Sequence, residues 1–235
     1  METAMKREVV FSGHQPNFLP YMGFFYKMFR SDVFVLDDDV QYSSKAWHNT
    51  NFIKVNGEKH RITVPVSYDY GAAINRVKID YSREWSRKLL ETVKMNYGKA
   101  THFNEAYDML FRHIAPRNYT LTDLTIPLIQ DIAERFGLRC RIVIASKELY
   151  TDKKNNDRNI WQCERLGGTV YFSGDGGKDY NDESAYREHG IQLVYADYKP
   201  VHYHQCGKGL FIENLSVLDY IFNCGFELPK EWVRA

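Results

Sequence analysis

The chain has 235 residues, 44% of them hydrophobic, enough to bury a sizeable core in one large domain or two small ones. Lys and Arg (31) nearly balance Asp and Glu (30), which argues against a dominant phosphate-binding face for DNA or RNA. No apolar run approaches the roughly 20 residues of a membrane span. The charged segment Met1–Glu8 lacks the apolar stretch of a secretory signal, so a cytoplasmic protein is expected.

In chain order, Val9–Ser12 reads as a strand, the region near Tyr21–Arg30 as a helix and Val33–Leu36 as a second strand. The dipeptide Asn56-Gly57 separates two β-prone runs, Phe52–Val55 and Lys59–Val66, which is a strong hairpin signal. Alternation of Ile74, Val77 and Ile79 predicts a strand over 74–79. Helices are expected at Arg83–Asn96, Phe103–Ile114 and Leu121–Phe136. In the last, Leu121, Leu124, Leu128, Ile132 and Phe136 recur at helical spacing and Gly137 stops the run. Strands at Arg139–Ser146, Thr169–Ser173 and Gln192–Asp197 then alternate with helices at Asn156–Leu166, Asp182–His189 and Ser216–Asn223. Such alternation predicts an α/β fold: a mainly parallel sheet flanked by helices, with an N-terminal β-hairpin and a central helical region. One unit over 1–235 is expected, with 82–136 as a candidate helical insertion.

The segment Ser12–Gly23 packs an imidazole, two amides and two prolines into a stiff loop between a strand and a helix, where α/β proteins bind ligands. His14 there is a general base, an orienting donor or a structural cap of the loop. Asp37-Asp38-Asp39 follows the second strand, and such a cluster needs a compensating cation, a metal or solvent. Asp37 and Asp38 continue the strand directly and are the better site candidates. The run from Trp47 to Lys54, with Asn49 and Asn51, suits a polyhydroxylated ligand, although Asn-rich turns also cap their own backbone.

Gly174, Gly176 and Gly177 with Lys178 lie between a strand and a helix and could cradle an anion, without the spacing of a nucleotide-binding fingerprint. His202 and His204 offer two metal ligands with no identified third, so no metal is assigned. Cys140, Cys163, Cys206 and Cys224 show no paired spacing and read as free thiols. Cys206 also reads as either a nucleophile or an inert buried thiol.

Several stretches together resemble the WbqC-like family. They include His14-Gln15-Pro16-Asn17-Phe18-Leu19-Pro20 with Gly23-Phe24-Phe25-Tyr26-Lys27, and Asp32-Val33-Phe34-Val35-Leu36-Asp37-Asp38 with Val40-Gln41-Tyr42. Asn49, Asn51, Ile53-Lys54 and Thr63-Val64-Pro65-Val66 follow, then Ser173-Gly174, Gly176-Gly177 and Tyr180. Tyr203, Gln205 and Asn214-Leu215-Ser216-Val217-Leu218-Asp219, with Asn223 and Gly225, complete the match. Thr50, where a basic residue is expected, and His204, where Pro is expected, depart from the pattern. Cys206 lies outside it and drops out as a nucleophile.

The resemblance implies a role in bacterial O-antigen or related surface-polysaccharide synthesis. The implied reaction moves a glycyl, aminoacyl or related acyl group onto the amine of a nucleotide-linked amino sugar. Its partners would be that nucleotide sugar and an acyl donor: free glycine with ATP, a carrier-protein thioester or an aminoacyl-tRNA. No cofactor is certain beyond ATP or such an activated donor. On this reading His14 with Asp38 is the base, and Gln15, Asn17 and Gln205 orient the acyl group or steady the developing oxyanion. Asp37, Gln41, Asn49, Asn51 and Tyr203 bind the sugar, while Lys54, Lys178 and the glycine loop hold the pyrophosphate. A non-catalytic nucleotide-sugar or glycan-binding protein is the opposing class, and an ATP-dependent amide ligase is the other enzyme.

Overall fold

The computed structural model describes residues 8–233, so positions 1–7 of the charged Met1–Glu8 segment lie outside the described residues. The first half runs β1 (Val10–His14), α1 (Met22–Phe29), β2 (Val33–Leu36), β3 (Thr50–Val55), β4 (Glu58–Thr63), β5 (Val66–Ser67) and β6 (Lys78–Ile79). Three helices follow: α2 (Trp85–Tyr97), α3 (Phe103–Ile114) and α4 (Leu121–Arg135). The second half runs β7 (Arg141–Ile144), α5 (Ala145–Glu148), α6 (Asn155–Arg165), β8 (Val170–Ser173), α7 (Glu183–Glu188) and β9 (Gln192–Tyr195). It ends with α8 (Val217–Cys224) and α9 (Lys230–Val233). None of the helices among the described residues is long and apolar enough to cross a membrane.

Contacts divide the chain into two compact units. Among the described residues, unit 1 holds 8–14, 26–37 and 139–198, and unit 2 holds 15–25, 38–138 and 199–233. Unit 1 is built on a five-stranded sheet of order β7-β2-β1-β8-β9, in which all four pairings are parallel. The Val33–Leu36 run is buried at every position, the pattern of a strand covered on both faces. One face carries Phe11, Val33, Val35, Val143 and Tyr171, packed on Ile160 and Cys163 of α6 and on Tyr186 of α7. The rings of Tyr171 and Tyr186 stack at 5.1 Å. On the other face Phe172 meets Tyr26, and the Lys27 ammonium lies over Phe34. The expected α/β class, with a parallel sheet, an early hairpin and central helices, is what the chain forms.

Unit 2 contains the antiparallel hairpin β3–β4 and the short pair β5–β6, with the expected central helices. Helix α4 begins at a capping box between Thr120 and Asp123, and its predicted apolar stripe is buried. Gly137 follows with φ +68°, the left-handed residue that ends such a helix. Rings of Tyr97, Phe222, Phe103, Tyr107 and Phe111 stack in succession between α2, α3 and α8. The strand expected over 74–79 is a correction. Residues Ile74–Arg76 form a 3-10 turn and only Lys78–Ile79 are extended. Val77 donates its N–H to Ile74 O, so the alternating side chains are buried by a tight turn. Helices α5 and α9, of four residues each, are too short to carry a sequence period.

The β3–β4 turn is the two-residue Asn56-Gly57 loop, with φ +53° and +89°, as a type I′ turn requires. A Cβ on Gly57 would also stand 2.8 Å from the carbonyl oxygen of Lys208. Gly71 has a similar φ of +80° with no atom within 4 Å of its would-be Cβ. Gly71→Ala should therefore cost only the left-handed strain, about 1–2 kcal/mol. Gly57→Ala should cost more, because a backbone carbonyl must also move; urea unfolding of the two variants measures the difference.

Candidate functional site

Taken in chain order, the strands of the unit 1 sheet are arranged third, second, first, fourth, fifth. The order reverses between β1 and β8, and in open parallel sheets ligands bind outside the carboxyl ends of the strands at such a switch point. Here β1 ends in Gly13-His14 and β8 ends in Ser173, followed by Gly174. His14 is partly exposed.

Asp37, directly after β2, is joined to β1 by its N–H, which donates to His14 O at 2.9 Å. Its carboxylate is 7% exposed. Oxygen Oδ1 accepts from Arg158 Nε at 3.2 Å, Arg158 Nη2 at 3.1 Å and Gln162 Nε2 at 2.8 Å. Arg158 and Gln162 sit one turn apart on α6 and are themselves buried. A Cβ on Gly13 would lie 3.1 Å from Asp37 Oδ2, so glycine lets the strand pass the carboxylate closely. The carbonyl of Gly13 accepts from Lys27 Nζ at 3.0 Å. Lys27 is 6% exposed, and burial lowers its pKa to about 8 against the opposing pull of Asp37.

Beyond β8, residues Asp175–Asp179 wind into a 3-10 turn. Lys178 is half exposed and pairs with Asp175 at 3.3 Å. Asp175 in turn accepts from the N–H groups of Asp197 and Tyr198 at 3.0 Å each, bracing the turn after β9. Gly177 packs against Ser173 Oγ, where no side chain could fit, while Gly176 faces open space. Asn181 donates to Ser173 Oγ at 3.0 Å, leaving its own buried Oδ1 without a partner. The glycines therefore serve close packing at the end of β8 as well as backbone exposure.

The remaining candidates belong to unit 2. Lys54, Tyr203 and Gln205 come together around Asp219, a residue sequence reasoning did not single out as part of a site. Asp219 is fully buried and accepts from Tyr97 OH at 2.6 Å and Tyr203 OH at 2.8 Å. Burial holds its pKa above the ordinary carboxylate value, opposed by those two hydroxyls and by the Lys54 charge. Lys54 Nζ donates to Leu210 O at 3.1 Å, and Gln205 exchanges two hydrogen bonds with the backbone of Ile212.

Asn49 accepts from Tyr42 OH and donates to Val64 O, while Asn51 donates to Phe18 O and Leu19 O. Both amides thus hold backbone, Asn51 at the point where Leu19 takes φ +47°. Asp38 is 3% exposed and is reached by Asn75 Nδ2 at 3.4 Å. Asn17 is buried, and Gln15 and Gln41 are exposed. His48, beside Asn49, is held neutral by burial, which lowers its pKa to about 4. Among the described residues no three His, Cys, Asp or Glu side chains stand close enough to hold a metal. The four cysteines are free, and burial raises each thiol pKa, to about 12 at Cys163.

Sequence reasoning missed Lys27, Arg158 and Gln162. The signal was the demand of the Asp37–Asp39 cluster for a cation, which α6 supplies from more than 120 positions away. The Lys27 ammonium gives a direct test. Its folded pKa lies below the unfolded 10.5, so the folded state binds fewer protons between about pH 8 and 10.5. Stability from this group is thus reduced below pH 8, by about 3 kcal/mol, and recovers as pH rises through that window. Lys27→Met should gain stability relative to wild type at pH 7. That advantage should shrink by about 2–3 kcal/mol when urea unfolding is repeated near pH 10.5.

The profile of the WbqC-like protein family matches residues 15–231 of the chain. An uncharacterized protein of Mycobacterium tuberculosis, Rv1507c, is 30% identical over 219 residues, covering 92% of this chain and 94% of that protein. No solved structure matches the sequence. With the family profile spanning residues 15–231 and this relative covering 92% of the chain, the protein belongs to the WbqC-like family.

Proposed function

We propose that the protein is a transferase that forms an amide, moving a glycyl or related aminoacyl group onto the amine of a nucleotide-linked amino sugar. The observation that carries this reading is the ending of β1, the strand at which the sheet order turns, on His14. The acceptor amine is protonated in water and must lose a proton before it attacks an acyl carbon. That first proton goes to solvent; His14 takes the second, released as the neutral amine forms the C–N bond, and returns it to the departing group as the activated acyl bond breaks.

Lys27 supports the same chemistry. An ammonium has three N–H donors and Gly13 O takes one, so the group can steady negative charge developing on the acyl oxygen. With its pKa near 8, Lys27 is charged through most of the neutral range yet sits close to titration. The Arg158–Asp37 pair, neutral overall, holds the same strand ends in place.

The test is mass spectrometry of products from a panel of amino-sugar nucleotides mixed with glycine, ATP and activated aminoacyl donors. The reading expects an aminoacylated nucleotide sugar, formed about 10²–10⁴ times more slowly by His14→Ala. Ligand binding with no product from any donor would instead support a carrier of nucleotide sugars. Release of AMP or ADP in step with product would identify an amide ligase.

A further inference from the structure

Unit 2 contains a cationic groove that the reading above does not use. It runs between β4 and the start of α2, with a volume of about 230 Å³. Its basic lining is His60, Arg61, Arg83 and Lys88, accompanied by the hydroxyl residues Thr63 and Thr92. No acidic side chain lines it. Of the nearby acids, Glu84 and Glu91 are bound by Arg87, at 3.0 Å and 2.8 Å, and Asp80, which feels the Arg83 charge, accepts the N–H of Ser82. Arg83 and Lys88, by contrast, form no ion pair within 4 Å among the described residues and stand exposed. The helix pairs off one cation and leaves its neighbours available.

Two independent features add positive potential at the same place. Helix α2 has 13 residues, yet its first turn has no acidic residue and its N-cap Glu84 makes no capping hydrogen bond. Its first N–H groups therefore have no side-chain cap, and the Glu84 carboxylate is turned to Arg87 instead. Glu84 itself is held in the left-handed region, at φ +47°. Trp85, 5% exposed and part of the groove lining, has an indole N–H with no partner. A groove lined by guanidinium, ammonium and hydroxyl donors and by no carboxylate disfavours a cation and favours an anion.

We infer that this groove binds the diphosphate group of a phosphorylated metabolite. Its volume is below the roughly 300–1,000 Å³ of pockets that enclose a drug-sized ligand, so it takes the diphosphate and leaves the rest of the molecule outside. Arg61 is partly fixed by donating to Thr50 Oγ1 at 3.0 Å, which holds its guanidinium on the β4 side. Arg83 and Lys88 supply charge from the α2 side. Lys54 and Lys178, the lysines that sequence reasoning assigned to a pyrophosphate, already have Leu210 O and Asp175 as partners.

The experiment is calorimetric titration of the full chain with inorganic pyrophosphate, then with UDP and ADP, at low ionic strength. Pyrophosphate should bind, and the double variant Arg83→Gln/Lys88→Gln should weaken it on the order of tenfold or more. Lys94→Gln, on the same helix but outside the groove lining, should change affinity less than twofold. Arg83→Lys/Lys88→Arg should bind like wild type, which separates loss of charge from loss of fold. Similar affinities for UDP and ADP would place the nucleoside outside the groove; preference for pyrophosphate alone would mark a free-diphosphate site. No binding, equal binding by the charge-neutral variant, or far tighter binding of single-stranded RNA would overturn the inference. None of these outcomes depends on aminoacyl transfer, so the groove and the reaction stand or fall separately.

Discussion

A carboxylate at the end of a buried parallel strand has to be satisfied by the protein, because water scarcely reaches it. Asp37 meets that demand with a guanidinium and an amide from one helix, which converge on Oδ1. The consequences spread through unit 1. They engage the turn of α6 that carries Arg158 and Gln162, and they leave a side chain at position 13 of the neighbouring strand only 3.1 Å from the carboxylate. Removing one partner of such a buried pair typically costs about 3–5 kcal/mol, while replacing both with apolar groups is often neutral. The pair is therefore better read as fixing the geometry of the strand ends than as a source of net stability.

Unit 2 handles its buried acid in another way. Asp219 is held by two tyrosine hydroxyls, with the nearby Lys54 charge opposing the cost of burial. The Tyr97 hydroxyl does double service, accepting the Lys54 N–H and donating to Asp219, and so ties β3 to α2 and α8. Polar side chains that look like ligand contacts in the sequence thus become internal braces. Asn49, Asn51 and Gln205 follow the same rule, each spending its amide on backbone groups that a loop leaves unpaired.

Much of the fold was legible because its signals are local. Val33–Leu36 is an uninterrupted apolar run, Asn56-Gly57 favours a two-residue hairpin turn, and Phe103–Ile114 keeps a helical stripe throughout. The alternation at Ile74, Val77 and Ile79 misled because burial alone does not distinguish a short strand from a 3-10 turn under a helix. The candidate site was legible only in part. His14 and Asp37 announced themselves by their position after apolar strands. Arg158 and Gln162 lie on a helix whose composition is mostly polar, so nothing local marks them as buried. Charge was the least legible property. Whether a lysine meets a partner, as Lys178 meets Asp175, or stands unpaired, as Lys88 does, depends on packing across the chain.

The central claim is that ligand chemistry belongs to the carboxyl ends of β1 and β8. Amide hydrogen exchange, measured with and without a saturating amino-sugar nucleotide, tests it most directly. The account predicts slowed exchange in unit 1 concentrated at Gly13–His14 and at Ser173–Gly174, at the switch point. Protection in unit 1 confined to the opposite ends of those strands, near Val10 and Val170, would contradict it.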